Sequence, residues 1–276
     1  PKTVDHFDIS KKNISNFKKF LKKKTKTKVN VINSKKLDLS KDKLPKNKYD
    51  LVYLHGIIQH VDHVGKALKN ISDSLKKNGV VWFYFYRPGS LVNFLGSLQR
   101  NMLKNTDIDY FYKKLKKKKL NFKFIDSLMD DCFVPNRQLF YPKDYLSYLS
   151  KLNLKMFGNS LLVNSFEKYN FYKFHSSVIL FLKKNKNKKN KINSSNILKP
   201  KDQINDLNIK YYKKNKQILK ILKILSNINF NKKDIFNKII LIEKLKVKLK
   251  KNFFLKKGYD KKYVTNILNE LCNILK

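Results

Sequence analysis

Residues 49–60 read YDLVYLHGIIQH, and the chemistry of the fold turns on how that stretch is continued. Tyr49–Leu54 is a short run of β-branched, aromatic and aliphatic residues, which predicts a strand broken at His55-Gly56. Val64, Ala67, Leu68, Ile71 and Leu75 then recur at the spacing of one helix face. Asn78-Gly79 is expected to end that helix with a left-handed C-cap. Val80–Tyr86 (VVWFYFY) follows at once, and its unbroken apolar character predicts a strand covered on both faces. Strand, helix and strand at this spacing form an α/β unit.

Outward from this unit the same alternation continues. Upstream, Thr3–Phe7 predicts a strand ending at Asp8, and Ser10 can N-cap a helix carrying Ile14, Phe17 and Leu21 on one face. Val29–Ile32 is the next strand, followed by a polar, proline-containing segment from Lys35 to Lys48. Downstream, Arg87-Pro88-Gly89 breaks the apolar strand, and residues 91–129 predict a helical insertion too long for a simple connection, a cap or lid. Lys113–Lys119 within it reads as a solvated helix face. Pro142–Leu152 predicts a helix with proline at its first position. Leu154–Val163 and Phe171–Leu182 predict an antiparallel hairpin. The expected organisation is therefore one domain over residues 1–183, a lysine- and asparagine-rich linker over 184–205, and a basic helical module over 206–276. In that module Ile218, Ile221, Leu222 and Leu225 mark one helix, Asp234–Leu255 a second, and a short helix follows Gly258.

Composition limits the function classes. Hydrophobic residues make up 42% of the 276, enough for a core, and the seven-residue run Val80–Tyr86 falls far short of the roughly 20 needed to span a bilayer. No signal-peptide pattern opens the chain, which begins PKTVDHFDIS without Met and is expected to be a fragment. Cys132 and Cys272 lie far apart and read as free thiols of a reducing, cytoplasmic compartment. The net charge of +43 would attract any polyanion. Yet Arg occurs only at positions 87, 100 and 137, whereas dedicated nucleic-acid surfaces favour Arg for its planar fork. The lysine, asparagine and isoleucine excess is better explained by A/T-rich codons than by selection for a ligand.

The order of these pieces resembles the class I S-adenosylmethionine-dependent methyltransferases of the small-molecule type. Those domains carry an acidic residue after the second strand, a fourth strand opening Phe/Tyr-Asp, a segment ending in histidine, and a helix closing on Leu-Lys-Pro-Gly-Gly. Here the counterparts are Asp8, Tyr49-Asp50, His55–His60 and Leu75-Lys76-Lys77-Asn78-Gly79. Asp130–Pro135 through Pro142-Lys143-Asp144 resembles the stretch before the family's late helix and terminal hairpin. The resemblance covers about residues 3–183. The family's first strand and its Gly-x-Gly-x-Gly loop have no counterpart ahead of Asp8. The implied fold is thus a Rossmann-like sheet lacking its first strand, with a helical insertion and a C-terminal helical extension. That strand is central in the family, so its absence predicts two unpaired inner edges.

The resemblance implies S-adenosyl-L-methionine as cofactor and assigns roles by position. Asp8 would accept the ribose hydroxyls, with Ile9 beside it; the alternative for Asp8 is a cap on the helix at Ser10. Asp5 is expected on the solvated surface. Asn33 and Ser34, after the third strand, would contact adenine or serve only as turn residues, with Asp38 as the fallback. His55 and Gly56 would line the methionine side, and His60 would face the substrate as the candidate base or hold a backbone carbonyl. A zinc site built from His55, His60 and His63 is disfavoured, because no fourth ligand accompanies them. Tyr86, Arg87 and Arg137 would shape the acceptor pocket, and Arg137 hints at an anionic acceptor, with a surface ion pair as its commoner role. The expected acceptor is a small molecule or a lipid or glycan precursor. Two alternatives stay open: an RNA-directed methyltransferase using the basic tail, and a non-catalytic basic interaction protein with a degenerate cofactor site.

Overall fold

The computed structural model describes residues 3–23, 30–87, 91–159, 177–185, 234–256 and 261–275. In chain order the elements are β1 (Thr3–Asp8), α1 (Lys11–Lys23), β2 (Asn30–Lys36), β3 (Tyr49–His55), a 3-10 turn at Ile58–His60, α2 (Val64–Ser74) and β4 (Leu75–Tyr86). They continue with α3 (Leu91–Met102), α4 (Ile108–Lys117), α5 (Phe122–Phe133), α6 (Pro142–Lys151), β5 (Leu154–Asn159), β6 (Ser177–Lys184), α7 (Ile235–Lys256) and α8 (Lys261–Leu275). The expected helix at Ile218–Leu225 and the linker beyond Asn185 lie outside the described residues, whereas Lys184, placed in the linker by the sequence, ends β6.

The strands form two sheets. β1 and β2 pair in parallel, and β3-β4-β6-β5 form a second sheet in which β3 and β4 are parallel while β6 runs antiparallel to both β4 and β5. Among the described residues β1 pairs only with β2 and β3 only with β4. Phe7 of β1 packs on the core of the second sheet, and the Asp5 side chain hydrogen-bonds across to it. Asp5 of β1 accepts hydrogen bonds from Asn33 of β2 (3.1 Å), from Lys48 (2.7 Å) and from the Tyr49 hydroxyl (2.9 Å) at the start of β3. Its side chain is only 4% exposed, so the expectation of a solvated Asp5 is corrected. Burial pushes its carboxyl up, but the hydrogen bonds from Lys48, Tyr49 and Asn33 outweigh that and leave it below the ordinary carboxylate range.

The second sheet alternates. Leu54, Val81, Phe83 and Phe85 are buried together with Ala67, Leu68 and Ile71 of α2 and Tyr145 and Leu149 of α6. Tyr53, His55, Trp82 and Tyr84 stack along the opposite face, with Tyr53 63% exposed. β4 is therefore covered on one face and half-open on the other, not covered on both as its apolar run suggested, because α2 and α6 both lie on the Phe83 side.

α2 also stops earlier than its apolar spacing implies. It ends at Ser74, and Leu75 already pairs with Tyr49. The ammonium of Lys184 in β6, buried, donates to the carbonyls of Ser72 (2.7 Å) and Leu75 (2.9 Å) and so satisfies the end of the helix. Asn78, at φ 66°, takes the left-handed position. Gly79 has a different reason to be glycine: a Cβ there would lie 2.9 Å from the carbonyl oxygens of both Lys76 and Tyr49.

A second apolar core is drawn almost wholly from helices. Leu91, Phe94, Leu95 and Leu98 of α3, Phe111 and Leu115 of α4 and Leu128 of α5 are buried with Ile239, Ile242 and Leu249 of α7 and Val264, Leu268 and Leu271 of α8. Residues 91–129 and the tail thus share one core.

Candidate functional site

The carboxyl ends of the parallel strands carry the candidate site, as expected for an open α/β sheet. At the end of β1 the Asp8 carboxylate accepts from the Ser10 amide at 2.7 Å and from the Asn13 side chain at 3.2 Å, and the Asn13 amide donates to Ser10 Oγ at 3.3 Å. Asp8 and Ser10 together open α1, so the capping alternative is realised in the chain as it stands. The neighbouring Ile9 is 62% exposed.

β2 alters the expected adenine side. It pairs with β1 as far as Asp8↔Lys36, so Asn33 and Ser34 lie inside the strand and not after it. Asn33 is bonded to Asp5, and Ser34 lies 3.2 Å from the His6 ring. The sequence misplaces them because Asn, Ser and Lys are weak strand formers, and pairing with β1 carries the strand past its apolar residues. The acidic residue that follows β2 is instead Asp38, next to Leu37, whose amide donates to the Asp8 carbonyl at 3.0 Å. The Ser40 amide, donating at 2.8 Å, holds the Asp38 carboxyl below its ordinary range.

A second cluster forms where β3 and β4 end. Gly56, at φ 62°, makes the turn after His55, and its amide donates to the Tyr84 carbonyl at 3.0 Å. His55 stacks on Tyr84 with ring centroids 4.4 Å apart. His60 follows on the 3-10 turn. Its Nδ1 lies 2.6 Å from the Asn136 carbonyl and donates to it, leaving Nε2 to accept from the Gln59 amide at 3.2 Å. Burial lowers the His60 pKa and outweighs the Asn136 bond, so the ring is neutral at pH 7. The expected carbonyl-holding role is thus present in the geometry.

Tyr86 ends β4, with the His60 ring edge-on at 6.5 Å and the Arg137 guanidinium 5.8 Å from its centroid. Burial raises the phenol pKa, so Tyr86 is not a ready base. Arg87 is 1% exposed, and its carbonyl accepts from Asn93 of α3 at 2.6 Å. The same Asn93 accepts from Arg137 at 3.1 Å. Arg137 is not on the surface: its side chain is 4% exposed and lies 3.4 Å from Asp131. Arg100, whose only signal in the sequence was the rarity of Arg, joins this group by donating to the carbonyls of Val134 and Pro135.

Among the described residues no group of His, Cys, Asp and Glu could hold a metal ion, and no helix is long and apolar enough to cross a membrane. Cys132 is buried, and burial first pushes its thiol up to about 12, with Lys246 opposing, so it is no nucleophile.

Comparison with known proteins bears on the first of these clusters and on the start of the second. No curated protein matches this chain. Among solved structures, PKMT2 from Rickettsia typhi is similar at 15% identity and a TM-score of 0.46, over 69% of this chain and 46% of that one. The YcgJ protein from Bacillus subtilis is similar at 9% identity and a TM-score of 0.44, over 67% and 84%. An S-adenosylmethionine-dependent methyltransferase from Mesorhizobium loti is similar at 12% identity and a TM-score of 0.41, over 66% and 80%. The family described as a methyltransferase domain matches residues 1–81, which run from β1 through the first half of β4. Over that segment, which is under a third of the 276 residues, this chain is similar to a methyltransferase domain.

Proposed function

We propose that the chain binds S-adenosyl-L-methionine across the carboxyl ends of β1, β2 and β3 and transfers its methyl group to a small molecule or a lipid or glycan precursor. The observation that carries this is the placement of two acidic residues, Asp8 at the end of β1 and Asp38 just past the end of β2, on adjacent parallel strands within the matched segment. The donor set fits the nucleoside end of the cofactor. Asp8 has oxygens to accept both ribose hydroxyls once its contact with the exposed Asn13 side chain is exchanged, and Ile9 offers apolar surface beside it. Asp38, and not Asn33 or Ser34, is assigned to the adenine amino group. His55 and Gly56 are assigned to the methionine end, where the positive φ of Gly56 allows close backbone approach.

The bound sulfonium supplies an already activated methyl group. The residues of this chain therefore supply position and exclusion of water more than acid–base chemistry. His60, neutral and held by Asn136, keeps the wall of the acceptor side in place. It can take a proton only through Nε2, after the Gln59 amide turns away. Tyr86, Arg87 and Arg137 line that side.

Two further parts of the reading concern architecture. The free edges of β1 and β3, between which Asp5 bonds to Tyr49, are the place for one more parallel strand, and a glycine loop following it would complete the methionine pocket. The α3–α5 insertion and the α7–α8 tail act as one cap, because they share a core.

Ultraviolet crosslinking of labelled S-adenosylmethionine to the full-length protein tests the site. Adducts within residues 8–9, 37–40 or 55–60 are expected. Adducts confined to α7 and α8, or none that S-adenosylhomocysteine suppresses, would overturn the assignment.

A further inference from the structure

The geometry points to an oxyanion clamp built from Arg137 and Arg100 at the end of β4, which takes a carboxylate or phosphate group of the methyl acceptor. This rests on the methyl-transfer reading above and names the chemical class of its acceptor.

The first observation is convergence. Of 63 Lys and Arg residues only three are Arg, and all three meet at this one place. Asn93 joins the Arg87 carbonyl to the Arg137 guanidinium, and Arg100 binds the carbonyls of Val134 and Pro135, in the loop that carries Arg137. That loop is pinned to the His60 turn: the Gln138 amide donates to the Gln59 carbonyl at 2.8 Å, and its side chain donates to Val61 at 2.8 Å. Lysines elsewhere are dispersed, as a compositional excess would be. These arginines are not.

The second observation is unspent hydrogen-bonding capacity. Nε and Nη1 of Arg137 and Nη1 of Arg100 are buried and have no hydrogen-bond partner among the described residues. Buried donors without acceptors are costly, and a guanidinium presents its donors in a fork matched to a carboxylate or phosphate. The nearest carboxylate does not meet this need. Asp131 lies 3.4 Å from Arg137 Nη2, but it is held at 2.5 Å by Lys246, which leaves two guanidinia facing one shared anion. Asp130 adds only a more distant negative charge. Burial and then the nearby Arg137 charge lower the Arg100 pKa, the sign of two cations crowded together.

The third observation is room made for the guanidinium. A Cβ at Gly96 of α3 would lie 2.5 Å from Arg137 Nη1. Glycine there lets the guanidinium lie against the helix, between Asn93 and the Tyr86 ring. An oxyanion in the clamp would sit beside Tyr86 and His60, with the rest of the acceptor leading toward the ends of β3 and β4.

The test is isothermal titration of the full-length protein with inorganic phosphate and, separately, with acetate, at fixed ionic strength. One of the two should bind, and Arg137→Gln should weaken it at least tenfold, with part of the loss restored in Arg137→Lys. Arg100→Gln and Gly96→Ala, which leave the Arg137 charge in place, should each weaken it too, and Lys116→Gln should not. Preference for phosphate assigns a phosphorylated acceptor, and preference for acetate a carboxylic acid. The inference is overturned if neither anion binds, or if both bind equally to wild type, Arg137→Gln and Arg100→Gln, which is the behaviour of diffuse lysine charge. Binding of S-adenosylmethionine is measured on the same samples. Its loss in wild type with phosphate binding intact would remove the methyl-transfer reading and leave the clamp standing.

Discussion

Replacing Lys246 by Met should unfold the helical cap at lower denaturant than any single surface change. Lys246 lies on α7 and is fully buried, yet it is charged: its ammonium donates to Glu243 at 2.6 Å, Asp131 at 2.5 Å and Gln99 Oε1 at 3.0 Å. Burial lowers its pKa, but Asp131 and Glu243 outweigh that and raise it. Met keeps most of the side-chain volume and removes the charge. Glu243, fully buried, is then left with Gln99 at 3.2 Å and a long contact from Ser127 at 3.4 Å. Removing one partner of a buried ion pair costs about 3–5 kcal/mol, because the other charge stays buried and uncompensated. With a urea slope of about 3 kcal/mol/M, the upper end for small proteins, the midpoint should fall by about 1–2 M. Circular dichroism at 222 nm follows it, since α3–α5, α7 and α8 hold much of the helix content. Adding Glu243→Gln should recover about half of the loss or more, because a neutral pair no longer carries the desolvation cost. A midpoint unchanged in Lys246→Met would refute the reasoning, as would a double variant no better than the single one.

Two other outcomes follow from single positions. Gly79→Ala should destabilise the sheet by about 1–3 kcal/mol, the range for overpacking, because both clashing atoms are backbone carbonyls that cannot swing aside; thermal unfolding of the variant checks it. His60 has a folded pKa lowered by burial. Its contribution to stability is therefore full above the unfolded value of about 6.5 and is lost as the pH falls from there toward the folded value. Unfolding midpoints measured between pH 8 and pH 5 should decline, and His60→Gln should decline less over the same range.

Much of the sheet was legible because strand and helix periods separate cleanly there. Tyr49–His55, Val80–Tyr86 and the helix beginning at Val64 all follow from apolar spacing, and Pro142 opens α6 where a first-turn proline belongs. The misjudged features depend on partners distant in sequence. β2 runs through Asn33 and Ser34 because β1 lies beside it, and α2 ends at Ser74 because Lys184, 110 residues on, takes over its carbonyls. Asp5 looked solvated because nothing local shows that Lys48 and Tyr49 close over it. Glu243 and Lys246 stand i, i+3 in a lysine-rich helix, and nothing in the local sequence marks them as the buried pair they are. Arg100 carried a signal in its rarity alone, and only the fold brings it to the loop that carries Arg137.

The central claim is that Asp8 holds the ribose of S-adenosylmethionine at the end of β1, and the most direct measurement is the calorimetric affinity of the full-length protein for that cofactor with and without the carboxylate. Wild type should bind, and Asp8→Ala should bind about 10- to 150-fold more weakly, the equivalent of about 1.5–3 kcal/mol for a hydrogen bond to a charged group. Equal affinities in the two proteins, or no binding to wild type, would contradict the account.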